Sequence, residues 1–314
     1  MEKREVVMQL ECLDLEDFLG TSSSRRLEFI DGVGRSLHRI GFFTLKNHGM
    51  DPDLVRASYG LCSELFTLPK ERKQRYEDES LKGQRGYVSF GKEHAKDQKA
   101  SDLKEFWHVG RSRYTSKSPY IENIWPEEVP AFRPMMEELY AQLDRCSGLL
   151  LRACALYLGE KEELFSEMAV DGNSILRLIH YPPIEAHWQG VRAAAHEDIN
   201  LITLLCEASD SGLEVQTHDG TWLAIDALKG QIVVDSGDML ANISNGFYRA
   251  TTHRVVNPKD STRARYSIPF FCHPRSECNL TPLASCKQKT GGVDAYPAIT
   301  AGEFLEKRLR EIGL

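Results

Sequence analysis

No stretch of the 314-residue chain is both apolar and long enough to cross a bilayer; the richest, Gly148 to Leu158, is short and interrupted by Arg152. The opening residues Met1-Glu2-Lys3-Arg4-Glu5 are charged and lead into no apolar segment, so a secretory signal is not expected. Basic residues form no run, and 39 Lys and Arg stand against 46 Asp and Glu, for a net charge of -7. That balance supplies no field for nucleic acid or an anionic membrane, and neither is expected as a partner. None of the eight cysteines belongs to a Cys-x-x-Cys pair; scattered through mostly apolar surroundings, they read as reduced, buried thiols. There is no internal repeat and no low-complexity segment. These absences leave a soluble, cytoplasmic, globular protein whose oligomeric state stays open.

What is present is enough apolar residue, 41% of the chain, to bury a large core. Ser22-Ser23-Ser24 offers a cap for a helix whose apolar face is Leu27, Ile30, Val33, Leu37 and Ile40, ending at Gly41. Phe42 to Leu45 reads as a short strand closed by the turn Asn47-His48-Gly49, in which His48 has a structural role. Asp51-Pro52 starts a second helix from about Asp53 to Phe66. From about Leu81 to Pro130 no period is sustained, and the spacing predicts a long surface excursion. Its residues Arg85, Tyr87, Phe90, Phe106 and Trp107 suit a flap that covers substrate, mobile until substrate binds. A core helix then runs from Pro134 to roughly Leu158, with Met135, Leu139, Leu143, Cys146, Leu150 and Cys154 on one stripe.

After Ser174 the texture turns to short β-rich runs: 175–181, 201–207, 213–216, 222–225, 231–234, 254–256 and 266–272, separated by Gly and Asp turns. Many short strands of this kind predict a double-sheet barrel or jelly roll. Thr300-Ala301-Gly302-Glu303 has the form of a capping box, so a last amphipathic helix is expected on the outside. The fold class is therefore mixed α+β, mainly β at its centre: a double-sheet barrel or jelly roll with flanking N-terminal and C-terminal helices. Residues 1–170 read as a mainly helical region with the covering loop and 171–314 as the jelly-roll core with its helix, together one integrated unit.

Chemistry concentrates in that core. His196-Glu197-Asp198 sets an imidazole and a carboxylate two residues apart, on one side if the stretch is a strand, and His253 follows several strands later. Two His and one carboxylate leave coordination positions open, the pattern that suits non-haem Fe(II) binding O2 and an organic ligand together. On the next strand Arg265 and Ser267 alternate to one side, a guanidinium beside a hydroxyl that forms a fork for a carboxylate.

Taken together, Gly41-Phe42-Phe43 through Asn47-His48-Gly49, Leu68-Pro69 with Lys70 to Tyr76, Tyr181-Pro182-Pro183, His196-Glu197-Asp198, Ile243-Ser244-Asn245-Gly246-Phe247-Tyr248-Arg249 leading to His253-Arg254-Val255, and Arg265-Tyr266-Ser267 resemble the isopenicillin N synthase-like branch of the Fe(II)/2-oxoglutarate-dependent dioxygenases nearly end to end. The resemblance implies a distorted double-stranded β-helix (jelly-roll) core, Fe(II) held by His196, Asp198 and His253, and 2-oxoglutarate held by Arg265 and Ser267 with help from Tyr181. It further implies O2-dependent oxidation of a small-molecule metabolite by hydroxylation, desaturation or ring closure. Ile179 stands where many plant members carry Asn, and His180 where they often carry Tyr. Arg85, Tyr87, Phe106 and Arg177 are the candidate substrate contacts. Two alternatives remain open: an oxidase of the isopenicillin N synthase type that uses no 2-oxoglutarate, and a jelly-roll protein that binds metal without turnover.

Overall fold

The computed structural model describes residues 10–94, 101–115, 121–184, 191–206, 209–225, 229–257 and 263–312. Among them run thirteen strands: β1 Cys12–Asp14, β2 Phe42–Lys46, β3 Gly86–Val88, β4 Glu105–Gly110, β5 Ile175–Tyr181, β6 Ala193–His196, β7 Ile202–Leu205, β8 Leu213–Gln216, β9 Trp222–Ala224, β10 Ile232–Ser236, β11 His253–Val255, β12 Arg265–Ser267 and β13 Pro269–Cys272. They form two sheets. The larger has the order β1-β2-β10-β7-β13-β5-β4-β3, with β12 also paired to β5; the smaller has the order β6-β11-β8-β9.

The helices pack on the larger sheet for reasons visible in their sequences. Ser22 caps the helix Ser23–Arg39 by accepting from the Arg25 N–H, leaving Phe29, Ile30, Val33 and Leu37 buried. Leu27, expected inside, is exposed at 66%, and Phe29 fills that end of the face instead. The long helix Phe132–Leu158 ends on Gly159, whose left-handed φ of 82° closes the last turn. Gly34 is required where the two helices meet, because a Cβ there would lie 1.9 Å from the Tyr157 ring. Its apolar stripe is the core, with Met136 rather than Met135 fully inside. The C-terminal helix Ala301–Glu311 carries the expected capping box between Thr300 and Glu303.

The surface excursion expected over Leu81–Pro130 is overturned at β3 and β4. Both β3 and β4 are buried along their whole length, and β4 lies against β5 inside the larger sheet. A strand covered on both faces shows no alternation, so Phe106-Trp107-His108 carried no period to detect. Residues 95–100 and 116–120, also within the expected flap, lie outside the described residues. The sheet thus takes β1 to β4 from before residue 170 and the rest from after it.

Candidate active site

The register of the smaller sheet sets His253 of β11 directly opposite His196 of β6. Each ring is fixed through its Nδ1, His196 at 2.7 Å from the Ala194 carbonyl and His253 at 3.1 Å from that of Thr251. An Nδ1 that donates to a carbonyl leaves Nε2 without its proton and ready to bind a metal. The Thr251 hydroxyl in turn donates to the Ile40 carbonyl at 2.6 Å. Gly41, with φ of 79°, lets the chain pass there, since a Cβ would lie 2.7 Å from the Arg249 carbonyl.

Asp198 reaches the same point by a different route from the one its spacing suggests. The strand ends at His196, and Asp198 stands beyond it, its carbonyl accepting from the Asp238 N–H at 2.7 Å. Its Oδ1 lies 3.8 Å from His196 Nε2 and 3.7 Å from His253 Nε2. One ligand atom from each of the three residues falls within 4.8 Å of the other two. Its Oδ2 accepts from the Thr203 hydroxyl, which also accepts from Asn200 Nδ2 at 2.9 Å. Burial, followed by the neighbouring His253, lowers the His196 pKa to about 4, so the imidazole is neutral at ordinary pH. Two histidines and one aspartate are the donor set a divalent transition metal takes.

From the triad a narrow cavity of about 70 Å3 leads to Arg265 and Ser267 between walls that include Leu205, Val233 and Val255. Arg265 pairs with Tyr181 and Ser267 with Ile179 across β12 and β5. The Arg265 guanidinium is 1% exposed, lies 5.1 Å from the Tyr181 ring centroid and donates through Nε to the Asp210 carbonyl at 3.1 Å. Its Nη1 is buried and has no partner among the described residues. Lys104, Arg177 and Asp235 also line this cavity, and the buried cationic donor left over on Arg265 fits the far carboxylate of a dicarboxylate held at the triad.

A second cavity of about 350 Å3 also opens on the triad and shares Lys104, Arg177 and Phe271 with the first. Arg177 lines both cavities, whereas Arg85, Tyr87 and Phe106, expected with it as substrate contacts, line neither. The Arg85 guanidinium packs where a Gly110 side chain would be and donates to the Gln84 carbonyl at 2.7 Å. Tyr87 is in the main core with its hydroxyl on Glu105, and Phe106 lies one layer behind Arg177. The C-terminal helix does not simply pack on the outside, because its Leu305, Arg308 and Leu309 line this cavity. Thr203, Glu93, Lys104, His108 and His273 also face the site and were not singled out by sequence. Only Thr203 carried a signal, as a polar residue inside the apolar run after Asp198. His48 has the structural role expected, with Nε2 at 3.2 Å from the Gly230 carbonyl. His180, where relatives carry Tyr, is held by Glu105 at 2.7 Å and stacks on Tyr266.

Residues 10–128 match the family described as non-haem dioxygenase in morphine synthesis N-terminal, and residues 172–274 match the 2OG-Fe(II) oxygenase superfamily. A homoarginine-6-hydroxylase of Oryza sativa subsp. japonica is 30% identical, over 90% of this chain and 89% of its own length. The proline hydroxylase buaE of Petromyces alliaceus is 29% identical over 96% and 99%. Among solved structures, a 2OG-Fe(II) oxygenase family protein from Caulobacter crescentus is 39% identical with a TM-score of 0.85, covering 96% of this chain and 98% of that one. A full-length Neurospora crassa protein solved in complex with alpha-KG and thymine is 28% identical with a TM-score of 0.85, covering 99% and 98%.

Proposed function

The chain belongs to the 2OG-Fe(II) oxygenase superfamily, and on that premise we propose that His196, Asp198 and His253 hold the iron while Arg265 and Ser267, beside Tyr181, hold the far carboxylate of 2-oxoglutarate. The enzyme is an Fe(II)- and 2-oxoglutarate-dependent oxygenase of small molecules. When bound, iron, 2-oxoglutarate and O2 together supply the oxidant: the keto acid loses CO2 to give succinate, and a substrate C–H bond is oxidised. The chain's residues orient and shield. The backbone carbonyls behind His196 and His253 keep both Nε2 atoms aimed at one point, Thr203 fixes the carboxylate of Asp198, and the apolar walls toward Arg265 keep water out. The observation that carries the assignment is the orphaned Arg265 Nη1 at the end of a cavity that begins at a two-histidine, one-carboxylate cluster.

It also supports 2-oxoglutarate over a site without co-substrate, since a simple metal-binding protein has no use for that fork. We read residues 1–170 and 171–314 as one integrated unit, because one sheet takes strands from both. Among the described residues no helix is long and apolar enough to cross a membrane, and a cytoplasmic setting is part of the proposal. Asp198→Ala is expected to lose iron and succinate formation while its circular dichroism and melting profile stay native-like. Purified Asp198→Ala with stoichiometric iron and undiminished succinate would show that the metal is held elsewhere.

A further inference from the structure

The larger cavity has a polar wall whose hydrogen-bonding sense can be read atom by atom. Arg177 of β5 lies between two rings, 4.3 Å from the Phe106 centroid and 5.1 Å from that of Phe271. Its Nε donates to His108 Nε2 at 2.5 Å. That nitrogen can accept because His108 Nδ1, 2.5 Å from the Gly83 carbonyl, carries the ring proton. Arg177 Nη1 donates to Glu93 Oε1 at 3.2 Å. A guanidinium has five N–H groups, so donors remain on the cavity side.

Glu93 is only 8% exposed. Lys104 Nζ lies 2.6 Å from its Oε1 and 2.8 Å from Asp102 Oδ2. Glu93 Oε2 stands 3.2 Å from Arg177 Nη2 without the alignment of a hydrogen bond, and accepts none from any described residue. The cluster is electrically balanced, with Lys104 and Arg177 against Glu93 and Asp102. Arg308, the remaining lining cation, is itself paired, with Asp238 and Glu311 at 3.2 Å each. The C-terminal helix, whose Ile312 carbonyl accepts from the His94 N–H at 3.4 Å, adds apolar side chains to the lining.

Resting on the iron assignment above, since this cavity opens on that cluster, we propose that the substrate is an uncharged molecule presenting an N–H beside a C=O, the edge of an amide, lactam or imide, to Glu93 and Arg177, with its apolar body against Leu305 and Leu309. The N–H meets the idle carboxylate oxygen, and the carbonyl accepts from the guanidinium. A carboxylate at this wall would find its cations already neutralised and would face Glu93. An ammonium would add an unbalanced charge to a neutral buried cluster.

The test uses the full chain loaded anaerobically with Fe(II) and 2-oxoglutarate. Calorimetric titration compares 2-piperidone and glutarimide with their N-methyl derivatives, with cyclohexanecarboxylate and with cyclohexylamine. A lost hydrogen bond to a charged group predicts that N-methylation weakens binding about tenfold or more. The acid and the amine are expected to bind more weakly than the lactam. In Glu93→Gln the preference for the N–H parent should shrink toward unity. Equal affinity of the parent and N-methyl compounds in the wild-type protein would overturn the proposal without recourse to any variant. So would tighter binding of the acid or the amine, or no binding of either lactam at millimolar concentration. A missing 2-oxoglutarate signal in the loading step would count against the iron assignment instead, and the N–H series would then be read on the metal-free protein.

Discussion

Thr203 shows how much a single hydroxyl contributes to this site. It touches Asp198 Oδ2 on one side and takes a hydrogen bond from Asn200 on the other, so the carboxylate presents Oδ1 to both imidazoles. Thr203→Val keeps the shape and removes the donor. Loss of an outer partner of this kind typically costs 10–100-fold in metal affinity, and the variant is expected to weaken Fe(II) binding by about that range. An anaerobic Fe(II) titration that returns the wild-type dissociation constant would remove Thr203 from the account. The residue scale is also where the sequence is most readable. A His-x-Asp before an apolar run, a later His and an Arg-x-Ser pair are residue types that chemistry selects, and the structure brings all five into connected space. Glu93, Lys104 and His108 carry no such mark, because each is a common residue whose meaning comes from partners far away in the chain.

At the scale of elements, the C-terminal helix matters more than its amphipathic pattern indicates. Arg308 ties it to Asp238 at 3.2 Å, and the Asp238 N–H is bonded to the Asp198 carbonyl. The helix that walls the larger cavity is therefore linked through one residue to the loop that carries the central carboxylate. Arg308→Ala is expected to speed amide exchange across residues 301–311 several-fold and to raise the KM for substrate, with 2-oxoglutarate binding little changed; exchange as slow as in the wild type would show that packing alone seats the helix. Helix periods and caps are legible at this scale, since Ser22, Gly159 and Thr300 end or begin their helices as read. Strand β4 is not, because burial on both faces erases the alternation that would reveal it. For the same reason the 266–272 run hides a break: Ile268 separates β12 from β13, which pair with different lengths of β5.

At the scale of the whole molecule, the two sheets hold a triad onto which two cavities open, with a shared wall and polar residues of their own. Arg265 and Ser267 line only the narrow one and Glu93 only the wide one, while Arg177 and Lys104 line both, so the proposed place for the far carboxylate of the co-substrate is set apart from Glu93. This arrangement is only half legible in the sequence: strand spacing exposes Arg265, but no local pattern tells which residues close the wider cavity. The most direct measurement is an anaerobic 2-oxoglutarate titration of the Fe(II)-loaded protein, followed by the visible charge-transfer band of the chelate, in wild type, Arg265→Ala and Ser267→Ala. Losing the charged contact costs about 2–5 kcal/mol where its partner is left buried, and losing one neutral hydrogen bond about 0.5–1.5 kcal/mol. A 2-oxoglutarate dissociation constant raised more than tenfold in Arg265→Ala and distinctly less in Ser267→Ala is therefore expected. The same affinity in Arg265→Ala as in wild type would contradict it.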